Sequence, residues 1–100
     1  DFIIQKEISK SSWFGFSLII RPESNLMRQN VIDKLTKANI DCRPIVAGDF
    51  TQNEVMKYFD YEIHSELVNA QHLHENGLFV GNQQILIYDE IKYLYDTLSS

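Results

Sequence analysis

The sequence has one cysteine, two prolines and four glycines in 100 residues, and no long apolar run. A single thiol, Cys42, excludes an internal disulfide and a self-contained zinc or iron–sulfur site, and it suits a reducing cytoplasm. No stretch approaches the roughly 18–20 apolar residues that a membrane-spanning helix needs, so no membrane partner is expected. Positive charge is scarce as well. Nine Lys and Arg stand against fourteen Asp and Glu, a net charge of -5, and the nine are scattered along the chain. Nucleic-acid binding relies on clustered cations that displace counterions, so that class is excluded too. Neither G-x-x-x-x-G-K-[ST] nor G-x-G-x-x-G occurs, which removes the common phosphate loops. What is present is 44% apolar residues, enough for one modest core in a single domain.

The opening stretch DFIIQKEISKSS puts Phe2, Ile3, Ile4 and Ile8 ahead of any strong element, and it lacks an initiator Met. Apolar residues placed so early need something to pack against. The expectation is a piece excised from a larger protein.

Periodicity then predicts the elements. WFGFSLII alternates, with Phe14, Phe16, Leu18 and Ile20 on one face, and reads as a half-buried strand ended by Arg21-Pro22. Ser24 stands where an N-cap belongs. Leu26, Val31, Ile32, Leu35 and Ala38 follow at helical spacing, with Arg28, Lys34 and Lys37 expected outside and Asn39 as the stop. IDCRPIV is a second strand, so strand, helix and strand form a βαβ-like unit. From Gly48 to His64 the pattern loosens to a helical turn around Val55, Met56 and Tyr58. The four aromatics Phe50, Tyr58, Phe59 and Tyr61 in this polar stretch suggest packing on a surface. Ser65 is expected to cap a helix through Leu67, Ala70, Leu73 and His74, closed by Asn76-Gly77. LFVG is a short strand and ILIY is either strand or loop. The last helix places Ile91, Leu94, Tyr95 and Leu98 on one face and Asp89 and Glu90 at its positive end. The fold class is α+β, with a small antiparallel or mixed sheet covered by helices.

Several residue groupings invite chemical readings. His72 and His74 point about 200° apart on a helix, so they read as packing or solvated side chains, and no metal site is expected. Cys42 lacks an adjacent base and reads as inert. Gly77 and Gly81 read as a cap and a strand exit. Arg43 is different, because an arginine within an apolar strand must either reach solvent or meet an anion.

The segments SSWFGFSLII, IDCRPIVAGDFTQNEVMKYFDYEIH, NAQHLHENGLFVGN and DEIKYLYDTL, in this order from about Ser11 to Leu98, resemble the C-terminal domain of the DegT/DnrJ/StrS family. Those are pyridoxal-phosphate (PLP) enzymes of fold type I acting on nucleotide-linked keto-deoxysugars. Ile45-Val46-Ala47-Gly48-Asp49-Phe50-Thr51 looks more like the 3-dehydratases of lipopolysaccharide sugar biosynthesis, and their close relatives, than like the ordinary sugar aminotransferases. The expected activity is therefore that of a 3-dehydratase or an aminotransferase. That branch tends to carry Asn where Asp49 stands, a basic residue where Gln52 stands, and His-His where this chain has Gln83-Gln84.

The resemblance implies that 1–100 is a single C-terminal small domain, with 1–11 connecting it to its own large PLP domain. It also implies a nucleotide-sugar substrate, a homodimer for the full-length enzyme and a cytoplasmic location. The loop Ala47, Gly48, Asp49, Phe50 and Thr51 would lie over the active-site cleft. Arg43 would contact an anionic part of substrate or cofactor, with Asn82 a further candidate. The catalytic base and the acid at the pyridine nitrogen would belong to the large domain. No catalytic residue, metal or bound PLP is therefore expected in these 100 residues alone. The competing expectation is a non-enzymatic α+β binding or regulatory module.

Overall fold

The computed structural model describes residues 1–100. Strands β1 (Phe2–Ile4), β2 (Gly15–Ile20), β3 (Cys42–Pro44) and β4 (Gly77–Gly81) form one sheet in the order β1-β2-β4-β3. Every neighbouring pair is antiparallel. Helices α1 (Arg28–Lys37), α2 (Val68–Asn76) and α3 (Tyr88–Ser99) accompany it, and two 3-10 turns cover Phe50–Gln52 and Glu54–Tyr58. The α+β reading holds. The βαβ-like unit is opened out, because β4 inserts between β2 and β3 and pairs with both.

Alternation along the two central strands builds the core. Leu18 and Ile20 of β2 and Leu78 and Val80 of β4 share a face and are buried against Val31 and Leu35 of α1. Leu94 and Leu98 of α3 and Phe2, Phe16, Ile40 and Cys42 pack around them. Leu35 is fully enclosed, and burying a side chain of that size is worth about 1.5–3 kcal/mol. Phe14 departs from the expected face: β2 starts one residue later, and Phe14 is 87% exposed, its ring 5.9 Å from that of Phe79.

Helix ends differ from expectation at their starts. Neither Ser24 nor Ser65 caps a helix: α1 begins after Met27 and α2 after Leu67, with no side-chain cap at either. Ser24 Oγ instead accepts from the Leu26 N–H in a local turn. The stop of α1 is as read. Asn39 is left-handed (φ 63°), its N–H donates to the Thr36 carbonyl, and Ile40 N–H donates back to Leu35. That double closure satisfies the last carbonyls and turns Ile40 onto the core.

Gly77 does follow α2, but with φ −96° it is no left-handed cap. Its lack of a side chain matters for contact: a Cβ there would lie 2.6 Å from Ile45 Cγ1 and 2.6 Å from the Leu73 carbonyl oxygen. Arg28, expected outside, is half-buried. Its Nη1 donates to the carbonyls of His74 (2.6 Å) and Gly77 (3.3 Å), closing the end of α2 from the start of α1. Of ILIY, residues 85–87 are loop, with Ile85 and Leu86 exposed, and Tyr88 opens α3. The segment 1–11, read as a connection, includes β1 at the sheet edge. No helix is long and apolar enough to cross a membrane.

Candidate functional site

The second strand of the sequence reading shrinks to β3, an edge strand of three residues. Proline is tolerated at such an edge, and Pro44 ends the strand there. Cys42 faces the core, so Arg43 faces the other way, opposite Phe79 of β4, which in turn pairs with Ser17 of β2. Arg43 is exposed and belongs to neither ion pair of the molecule, which are Arg21–Glu23 and Lys92–Asp96. It forms no ion pair with Asp41, two residues before it.

Beyond β3 the backbone turns through two consecutive left-handed residues, Ala47 (φ 69°) and Gly48 (φ 48°). For alanine this region is unfavourable by about 1–2 kcal/mol, so the surroundings must hold it there. Asp49 does much of the holding. Its Oδ1 accepts from the Thr51 N–H (3.0 Å) and the Thr51 hydroxyl (2.6 Å), and its Oδ2 accepts from Gln52 Nε2 (3.1 Å). Its own N–H donates to His74 Nδ1 at 3.3 Å. The hydrogen bonds from Thr51 and Gln52, with the nearby His74, hold this carboxyl below the ordinary carboxylate range despite its burial.

The five loop candidates therefore divide by role. Asp49 is buried and Thr51 half-buried, both engaged inside the loop, and Gly48 is seated on His74. Ala47 and Phe50 are exposed, Phe50 by 51%. The two departures from the family pattern at 49 and 52 are one hydrogen-bonded pair: the added acid accepts from the amide that stands in place of a base. Asn82 lies apart from this loop, at the exit of β4, where its Nδ2 donates to the Trp13 carbonyl (2.8 Å).

Two concavities flank the sheet. The larger, about 910 Å³, lies between the 7–13 segment, the ends of β2 and β4, and α3. Trp13, Phe16, Ile40 and Val80 line it together with the carboxylates Glu7, Asp41, Asp89 and Glu90, and no Lys, Arg or His does. That sign of charge repels a diphosphate. The smaller, about 380 Å³, lies on the Arg43 side, against Gly15, Ser17, Phe79, Ile45 and Val46.

The remaining chemical groups are spent on structure. His72 Nε2–H donates to the Ile20 carbonyl (2.8 Å), which leaves Nδ1 to accept from the Asn76 amide (3.3 Å). The Cys42 thiol is half-buried, and burial followed by the Asp41 charge pushes its pKa up, away from reactivity. No group of three or more metal-ligating side chains forms. Sequence reasoning missed the part played by Arg28 and the partnership of His74 with the loop. No local signal marks them, because Arg28 and His74 are 46 residues apart and Asp49 and His74 are 25 apart.

No family model matches the chain. It is 51% identical over 96 residues to GDP-4-keto-6-deoxy-D-mannose 3-dehydratase of Escherichia coli O55:H7, covering 95% of this chain and 25% of that enzyme. Its structure superposes with a TM-score of 0.92 on GDP-4-keto-6-deoxymannose-3-dehydratase holding a trapped PLP-glutamate geminal diamine, at 50% identity over 97% of this chain and 25% of that one. A mutant form of the same enzyme with bound GDP-perosamine matches at a TM-score of 0.91 and 49% identity, over 97% of this chain and 25% of that one. The chain thus spans about a quarter of the length of the relatives it matches. These matches bear out both the resemblance to the DegT/DnrJ/StrS family and its 3-dehydratase branch.

Proposed function

We propose that these 100 residues are the C-terminal small domain of a PLP-dependent enzyme that carries out the 3-dehydration of GDP-4-keto-6-deoxymannose, in lipopolysaccharide sugar biosynthesis. The observation that carries this reading is 51% identity over 95% of the chain to a protein of that activity. The non-enzymatic alternative has no comparable support. The complete enzyme is read as a cytoplasmic homodimer, in keeping with a free thiol at Cys42.

The residues present do not fit PLP by themselves. A phosphate needs clustered donors and the reaction needs a lysine or histidine base, yet neither concavity is lined by a Lys, Arg or His. His72 and His74 are already committed to Ile20 and Asp49. The cofactor and the chemistry on it therefore belong to the other three quarters of the enzyme, and this domain's part is to bind and enclose. Arg43, unpaired on the open face, is the group suited to an anionic part of the nucleotide sugar. The exposed Ala47 and Phe50 present the rim of the loop beside it.

The decisive experiment pairs the complete reading frame with the isolated chain. The complete protein, given PLP, should consume GDP-4-keto-6-deoxymannose, and Arg43→Ala should weaken substrate binding tenfold or more, as losing about 1.5–3 kcal/mol from a charge-assisted contact implies. The isolated chain should bind no PLP and should sediment as a monomer or weak dimer. A Schiff-base absorbance from the isolated chain, or unchanged substrate binding by the Arg43 variant, would defeat the assignment.

A further inference from the structure

Beyond its bonds to the adjoining Gln52 and Asn53, one hydrogen bond joins the segment Ala47–Thr51 to a distant part of the chain, and it runs from the Asp49 N–H to His74 Nδ1 (3.3 Å). The same imidazole is the seat of Gly48: a Cβ there would lie 2.8 Å from His74 Nδ1, 2.9 Å from its Cα and 3.0 Å from its Cβ. His74 is itself held from behind, since Arg28 Nη1 donates to its carbonyl at 2.6 Å. The hydrogen-bonded path thus runs from the start of α1, through the last turn of α2, into the loop, and on through the Asp49 carboxylate to Thr51 and Gln52. The two left-handed residues lie immediately before the latched N–H. A strained pair of this kind persists only where its neighbours over-determine it.

We propose that His74 is a positioning residue for substrate binding, its Nδ1 lone pair latching the Ala47–Thr51 loop through the Asp49 N–H. The proposal rests on the reading of that loop as part of the substrate cleft. His74 touches no reacting atom in this account. It acts through the backbone of Gly48 and Asp49, and it requires a ring with Nδ1 free to accept.

Two substitutions of nearly equal shape isolate the acceptor. His74→Asn keeps an oxygen where Nδ1 stands, whereas His74→Leu puts a methyl there. In the isolated chain, hydrogen exchange at the Asp49 amide should match wild type in the Asn variant and be about tenfold faster in the Leu variant, the scale of one lost hydrogen bond. In the complete enzyme, His74→Leu should raise KM for GDP-4-keto-6-deoxymannose about tenfold with kcat within about twofold, and His74→Asn should restore it. Equal exchange at Asp49 in all three proteins overturns the latch. Faster exchange with an unmoved KM in an active enzyme overturns the positioning role. A complete wild-type protein inactive on this sugar refutes the functional reading instead, and the exchange measurement still decides the latch.

Discussion

Under α1 and α3, the sheet residues Leu18, Ile20, Leu78 and Val80 are all less than a tenth exposed; on the opposite face Ser17 and Phe79 are only half-buried, and Arg43 at the edge is exposed. The same strands supply both faces, so strand propensity does not separate them. What separates them is cover. The first face meets helices of this chain, whereas the second meets loop residues such as Ile45 and Val46 and ends in an unpaired cation. The whole chain shows the imbalance. Eight of its hundred residues are buried, and its radius of gyration is 15.5 Å where a self-contained domain of this length would have about 13 Å. One face supplies stability and the other is left open, as the proposed recognition role requires.

The sharpest way to break that contrast is to truncate one apolar side chain on each side. Leu35→Ala should cost about 2–5 kcal/mol, enough to unfold much of a small domain, while Phe14→Ala should stay within about 0.5 kcal/mol in urea titrations. Comparable losses from both would mean the second face is load-sharing. Next in size is Arg28→Met, which leaves the carbonyls of His74 and Gly77 without their donor; about 1.5–3 kcal/mol should be lost in the same titration. Gly77→Ala comes close behind. The new Cβ meets Ile45 and Leu73, so about 1–3 kcal/mol and a displaced Ile45 are expected, read by unfolding and by the Ile45 methyl resonances.

A smaller effect is set by pH. The Asp49 carboxyl titrates lower in the folded protein than in the unfolded chain, so its contribution is fully present above the ordinary value, near pH 4, and is lost as pH falls through the depressed folded value. Asp49→Asn should remove that acid-side loss from the stability profile. A variant profile parallel to wild type below pH 4 would assign the loss to other carboxylates. The smallest effect sharpens the contrast from the open side. Arg43→Ala should leave the melting of this chain unchanged, within about 0.5 kcal/mol, because nothing in the chain holds that guanidinium.

Much of the fold is legible in single segments. The Phe16-x-Leu18-x-Ile20 alternation, the Val31/Leu35 stripe and the Asn39 stop each depend on neighbours within a few residues, and the structure has all three. Helix starts were misread because Ser24 and Ser65 have the right chemistry in the wrong place: each lies a few residues ahead of the first helical turn. Of the candidate site, the loop 47–51 could be marked in advance, but which of its side chains face out could not. Asp49 carries a charge that would ordinarily be exposed, and only its three donors, on Thr51 and Gln52, make burial tolerable.

The sequence alone determined the α+β class, the core positions Leu18, Ile20, Val31 and Leu35 and the family resemblance, because periodicity and motifs are local and survive without coordinates. Tertiary structure alone decided that β4 is a central strand between β2 and β3, that Arg28 closes α2, that Asp49 turns inward while Arg43 stays unpaired, and that His74 meets the loop. Apart from the Thr51 and Gln52 donors that hold the Asp49 carboxylate, those outcomes depend on groups 25 or more residues apart, or on which strand edge remains open once the sheet has assembled. Pairing and burial at that range are chosen by the packing of the whole chain, which no short window of residues contains.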